Sequence, residues 1–118
     1  MSYSTHDTIA AIATPAGAGA VAILRLSGTN ALPIARELSG IEPRPRYVHV
    51  CTFRDDNDLA VDHGLMLFFP GPRSFTGEDV VELHGHGGAV VSDWLLDNAL
   101  RLGARAAEPG EFTLRAFM

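Results

Sequence analysis

The sequence predicts an α+β domain with a small mixed β-sheet and two to three helices. Three observations carry that prediction. Short apolar strand-like runs alternate with only two well-formed amphipathic helical stripes, glycine and proline punctuate almost every junction, and no internal repeat is present. The 118 residues, of which 47% are hydrophobic with a mean hydropathy of +0.12, suit one compact domain with a true core and exclude a disordered or low-complexity chain.

Taken in order, Ile9 to Ala13 and Val21 to Leu26 are short and apolar. They predict two strands joined through the flexible 15–19 stretch. Ser27, Gly28, Thr29 and Asn30 offer helix-starting side chains before Leu32, Ile34, Ala35 and Leu38, and Gly40 is placed to stop that helix. Beyond the Pro43-Arg44-Pro45 break, Tyr47 to Phe53 is rich in strand formers, with a polar turn at Asp55 to Asp58 before a second run, Leu65 to Phe69. So short a link predicts an antiparallel hairpin, since a parallel crossover needs a dozen residues or more. Pro70-Gly71-Pro72 ends that strand and opens a loop through Gly77. A strand is expected from Asp79 through His84, and Val91, Leu95, Ala99 and Leu102 mark a helix that Gly103 can close. A further helix opens at Pro109 to Met118, and the absence of a terminating residue there leads us to expect a segment of a longer protein.

Charge and cysteine usage exclude several classes. Nine arginines and no lysine against fourteen acidic residues give a net charge of −5, the reverse of the basic footprint of a free-standing nucleic-acid binder. The single cysteine, Cys51, lies in an apolar alternating run; we read it as a small core residue of a reduced, cytoplasmic protein. The longest apolar runs are far too short for a membrane-spanning helix, and no signal segment opens the chain.

The loop around Gly17-Ala18-Gly19 has the glycines of a phosphate-binding turn but is followed by a strand rather than a helix, and no Gly-Lys-Ser/Thr exists in a chain without lysine. We read it as a strand connection. His84 and His86, with His49, His63 and Cys51 elsewhere, do not complete a recognisable metal-ligand set, and the glycines of His84-Gly85-His86-Gly87-Gly88 are read as letting the backbone turn from strand into helix. Phe75, in a loop rich in glycine and proline, is expected to plug into the core rather than cover a cleft. Ser74 lacks the strand-to-helix elbow of a serine nucleophile.

Two charged residues are out of pattern. Arg25 shares a strand face with Val21 and Ile23, and Glu82 shares one with Val80 and His84. Either they pair with each other across the sheet, or they face a ligand. A carboxylate suits a pterin-like ring, whose ring N–H and exocyclic amine present two parallel donors; an arginine suits a polarised carbonyl or a carboxylate tail. The residues alone leave both readings open.

The runs Asp7 to Pro15, Ala22 to Gly28, Phe69 to Leu83, Gly85 to Gly88 and Pro109 to Thr113 closely resemble the N-terminal domain of the MnmE (TrmE) family of tRNA-modification GTPases, in the family's order and over nearly the whole chain. The resemblance implies that residues 1–118 form an N-terminal folate-binding and dimerisation domain related to the tetrahydrofolate-binding domain of the glycine-cleavage T protein. It implies a homodimer with folate pockets near the interface. Arg25 and Glu82 fall on the family's folate-contacting arginine and glutamate, so it favours the ligand reading, with 5-formyl- or 5,10-methylene-tetrahydrofolate as cofactor. No catalytic residue and no metal ligand is expected in this segment.

The same resemblance implies that the full-length protein carries a helical domain, a Ras-like G domain that hydrolyses GTP with magnesium and potassium, and a C-terminal cysteine motif, none of them within this sequence. With an MnmG-type flavoprotein such proteins add an aminomethyl-type group to carbon 5 of the wobble uridine of certain tRNAs. The chain departs from the family pattern at Ala16-Gly17-Ala18-Gly19-Ala20, where many members have Pro-Gly-Arg-Gly-Gly, so an arginine there has no counterpart. Two folate-associated lysines of the family would lie beyond Met118.

Overall fold

In the computed structural model, residues 7–14 and 21–118 are described. The elements follow in the order β1 (Ile9–Ile12), β2 (Val21–Ser27), α1 (Ala31–Ser39), β3 (His49–Arg54), β4 (Ala60–Phe69), β5 (Val80–His86), α2 (Ala89–Arg101), β6 (Arg105–Ala106) and α3 (Glu111–Ala116). The six strands form one sheet in the order β3-β4-β5-β2-β1-β6. Every neighbouring pair is antiparallel except β1 with β6, so the sheet is mixed and the fold is α+β, as the sequence predicts. The expected connection at residues 15–19 lies outside the described residues.

Alternation along each strand divides the sheet into two faces. Ala10, Leu24, Leu26, Cys51, Phe53, Met66, Phe68, Val81 and Leu83 point to one side, where they pack with Ile34, Ala35 and Leu38 of α1 and Leu95 and Ala99 of α2 in a single core. Cys51 is the buried core residue expected of it, and burial pushes its thiol up to about 11. The other face, which α1 and α2 leave open, carries Arg25, Glu82 and His84.

Several junctions differ from the sequence expectation for identifiable reasons. Asn30 caps α1 with no side-chain bond. Its backbone N–H donates to Thr8 Oγ1 at 2.8 Å, and Ser27 remains in β2 with its hydroxyl turned to the loop before β5. Gly40 stops α1 as predicted, with φ 73° and its N–H donated to the Arg36 carbonyl. The β3–β4 hairpin is antiparallel, but β4 begins at Ala60, five residues before the apolar run, because Asp62 and His63 pair with Phe53 and Thr52 although they are polar.

The glycines of the 84–88 run also need correction. β5 does not end at His84 but continues through Gly85 to His86. A Cβ on Gly85 would sit 2.9 Å from Val91 Cγ1 and 2.9 Å from Asp62 Oδ2, so Gly85 permits the close crossing of α2. Only Gly88, with φ 116°, makes the turn into the helix. Strand β6 is too short to leave a periodic signal and was not anticipated; it extends the sheet beside β1 through the bond from Arg105 N–H to Thr8 C=O, 2.8 Å.

Candidate functional site on the open sheet face

The antiparallel register of β2 and β5 sets Ser27 against Val80 and Val21 against His86, and so places Arg25 directly opposite Glu82. Directly opposed residues on one face are the closest cross-strand neighbours. Arg25 Nε and Nη2 both donate to Glu82 Oε2, at 2.9 and 2.8 Å. The two out-of-pattern charges therefore pair, which settles whether they touch. His84, two residues along β5 on the same face, bonds through Nε2 to Glu82 Oε1 at 2.9 Å. Burial of Glu82 would raise its carboxyl, but the bonds from His84 and Arg25 outweigh it and hold the group below the ordinary carboxylate range. Glu82 is accordingly ionised near neutral pH, and His84 carries its proton on Nε2 and donates it.

The carboxylate is not exhausted. Its two oxygens offer about four acceptor positions, and three are used. Its side chain is 18% exposed, and the pair is flanked on that face by the half-buried Ile23, Leu65 and Leu67. On one side Arg25 borders a depression of about 380 Å³ formed with Ala11, Ile12 and the start of α3 around Phe112. On the other, His84 borders a shallower, mainly apolar one of about 500 Å³ with Val21, Val50, His63 and Leu65. A planar, partly apolar ring with a pair of parallel N–H donors matches this carboxylate, provided that one of the Arg25 bonds yields a lone pair.

A second constellation closes one end of this face. Glu111 is 1% exposed and accepts from Arg105 Nη1 at 3.0 Å, Arg105 Nη2 at 2.6 Å and the Glu108 N–H at 2.9 Å. Arg115, one helical turn on, reaches Glu78 at 3.0 Å and also Asp7. Glu78 in turn accepts from Ser27 Oγ at 2.8 Å, and Ser27 Oγ lies 2.7 Å from Thr76 Oγ1. These side chains tie α3, the chain before β1 and the loop between β4 and β5 into one clasp, buried at Glu111 and Arg115 and half-exposed at Arg105 and Asp7, two residues from Arg25 along β2. Its only sequence signal was the Glu111/Arg115 spacing of four on a short helix. Within the loop it holds, Thr76 is buried and Phe75 is 58% exposed. The expected aromatic plug is thus overturned: the hydroxyl of Thr76, bonded to Ser27, takes the inward position and turns its neighbour out.

Two other histidines among the described residues have separate partners. His86 Nδ1 bonds Asp62 at 2.8 Å and His63 Nδ1 meets Thr52 Oγ1 at 3.0 Å. Among the described residues no group of three or more His, Cys, Asp or Glu is arranged to hold a metal ion. No helix among them is long and apolar enough to cross a membrane.

The chain matches the family model "GTP-binding protein TrmE N-terminus" over residues 8–118. It is 56% identical over 113 residues to the tRNA modification GTPase MnmE of Nitrosomonas eutropha, covering 96% of this chain and 25% of that protein. It is 59% identical over 113 residues to the protein of the same name in Stutzerimonas stutzeri, with 96% and 25% covered, and 58% identical over 111 residues to that of Neisseria meningitidis, with 94% and 25% covered. The chain thus spans about a quarter of the length of the relatives it matches. From this match over almost the whole chain, the chain belongs to the TrmE N-terminal family, the amino-terminal domain of the MnmE tRNA-modification GTPases.

Proposed function

We propose that this domain binds a tetrahydrofolate one-carbon donor, 5-formyl- or 5,10-methylene-tetrahydrofolate, on the open sheet face, with Glu82 and Arg25 as its ring contacts. The observation that carries the reading is the ionised Glu82, held by Arg25 and His84 yet with an acceptor position still open, among apolar flanks. The folate supplies the one-carbon unit. Glu82 would accept the parallel donors of the pterin edge, Arg25 would turn one N–H from Glu82 to the ring carbonyl, and His84 would keep Glu82 oriented while that exchange occurs. Ile23, Leu65 and Leu67 would cover the ring and keep water from competing for these bonds.

The wider reading extends the same proposal. In the intact protein this domain is a carrier and a homodimerisation module, and the exposed Val50 and Val21 on the open face support a partner copy there. GTP hydrolysis with magnesium and potassium, the MnmG-type flavoprotein and the tRNA wobble uridine belong to the rest of the assembly, and the segment itself contributes no catalytic group. The test is titration of 5-formyltetrahydrofolate into the full-length dimer. Binding should be saturable and weakened at least about tenfold in Glu82→Ala and Arg25→Ala variants that remain folded, equivalent to about 1.4 kcal/mol. Unchanged affinity in both variants would overturn it, and would favour the second reading, in which the direct Arg25–Glu82 bond serves the fold alone.

A further inference from the structure

Six of the nine arginines make ion pairs with carboxylates: Arg25, Arg36, Arg54, Arg101, Arg105 and Arg115. The other three, Arg44, Arg46 and Arg73, have no carboxylate partner among the described residues, and they lie together. Arg46 donates to the Arg73 carbonyl, and Arg44 stacks on Tyr47 at 4.2 Å. Arg46 and Arg73, with Phe69, Ser74, Phe75 and Val80, line a depression of about 380 Å³. In a chain of net charge −5, a corner that gathers guanidinium groups with no ion-pair partner among the described residues is a local well for an anion.

The aromatic content narrows the anion. Phe75 stands exposed at the rim beside two guanidinium groups, a composition suited to a planar ring that carries carboxylates. The rim is held in place. Thr76 is pinned to Ser27, the Gly71 N–H donates to Asp79 at 2.9 Å, and Glu78 is tied to Arg115, so Phe75 and Arg73 are presented by a loop fastened on both sides. Position narrows it further. Val80 lines this depression and lies two residues before Glu82 on the same strand, about 7 Å away at a rise of about 3.3 Å per residue.

We propose that Arg46, Arg73 and Phe75 form a second subsite, which receives the aminobenzoyl ring and the glutamate carboxylates of a folate whose pterin is read at Glu82. The subsite rests on the folate reading for the identity of its ligand. It favours folates with several glutamates over those with one, because added carboxylates extend toward the unpaired guanidinium groups.

The deciding probe is p-aminobenzoyl-triglutamate, which has the tail and no pterin, titrated into the full-length dimer at low salt. It should bind saturably, weaken at least about tenfold in Arg46→Gln/Arg73→Gln, and bind unchanged to Glu82→Ala. In parallel, 5-formyltetrahydrofolate triglutamate should bind about tenfold tighter than the monoglutamate, an advantage lost in the double arginine variant. A tail fragment that binds the double variant as well as the parent would overturn the subsite. So would an oligouridylate of equal charge that displaces the tail from the arginines at lower concentration than the tail itself, which would assign the patch to nucleic acid. Failure of the pterin reading is separately visible: a tailless 5-formyltetrahydropterin would then bind Glu82→Ala and the parent alike, while the tail fragment still reported on the arginines.

Discussion

Replacing Glu111 by alanine removes the centre of the clasp, and the structure sets the size of the effect. Four contacts are lost, two from Arg105, one from the Glu108 N–H and a longer one from Arg115 at 3.4 Å. Breaking a buried ion pair from one side costs about 3–5 kcal/mol when the remaining charge is stranded. Here it is not fully stranded. The Arg115 side chain is 4% exposed but keeps Asp7 and Glu78, and that of Arg105, at 38% exposure, reaches water. The loss therefore falls at the low end, about 3 kcal/mol. With an unfolding entropy of about 2.1 cal/mol/K per residue, that lowers the Tm of a 118-residue domain by about 12 °C at pH 7. Thermal unfolding followed by circular dichroism measures it. A drop below about 4 °C, or about 1 kcal/mol, would mean that the clasp is screened like a surface salt bridge and does not hold α3.

The same variant carries a pH signature with a definite sign. Hydrogen bonds from Arg105 hold the carboxyls of both Glu111 and Asp7 below their ordinary values. Carboxylates depressed in the folded state stabilise it fully above their unfolded values near about pH 4, and that stability is lost as pH falls through the folded values. The gap between parent and Glu111→Ala is therefore full at pH 7 and shrinks below about pH 4. A gap that stays constant into acid would refute the assignment of the stability to these ion pairs.

Three other outcomes are expected. Gly64→Ala puts a Cβ 2.0 Å from the His84 carbonyl oxygen and 2.7 Å from Phe53 Cε2, so the β4–β5 ladder must separate; a loss of about 3 kcal/mol or more in unfolding free energy by urea titration, or no soluble protein, is predicted. Cys51, whose thiol is raised from 9.0 to about 11, carries roughly a hundredfold less thiolate at neutral pH than a free cysteine and should react correspondingly slowly with a thiol reagent until the domain is unfolded. Glu82→Leu leaves the partly exposed Arg25 without its carboxylate and should cost about 1–2 kcal/mol, whereas Arg25→Leu/Glu82→Leu should recover to within about 1 kcal/mol of the parent; urea titration of the three proteins decides it.

How far the sequence revealed this site follows from the range of each interaction. Alternation is local, so the strand faces, the buried Cys51 and the two charges against the pattern, Arg25 and Glu82, were legible. Their bond was not, because the β2–β5 register joins residues 57 apart and is set by the packing of the whole sheet. The clasp was hidden for the same reason: Asp7, Glu78, Arg105, Glu111 and Arg115 come from four separate parts of the chain, and only the last two are neighbours on one helix. Phe75 was misplaced because burial was judged by side-chain type, while a hydroxyl bond at Thr76 decides which way the loop faces. Gly85 was assigned to a turn because a missing Cβ serves equally for a positive φ or for a close helix, and only the position of Val91 separates the two.

The charges on the open face also bear on what that face is for. A directly opposed charge pair on a sheet contributes only about 0.2–1 kcal/mol, and well-packed apolar residues of similar volume commonly match or exceed a half-buried ion pair. Leucines at 25 and 82 would continue the apolar surface of Ile23, Leu65 and Leu67 without the cost of desolvating a carboxylate. The fold thus gains little from this pair that it could not obtain more simply. What a leucine pair could not supply is an ionised acceptor, oriented by His84 and Arg25 and 18% exposed. The clasp next to it adds rigidity in the loop where Arg73 and Phe75 stand. The ionised acceptor at Glu82 and Val80, which borders the depression lined by Arg46 and Arg73, are about 7 Å apart along one strand, a spacing consistent with the two-point reading proposed above.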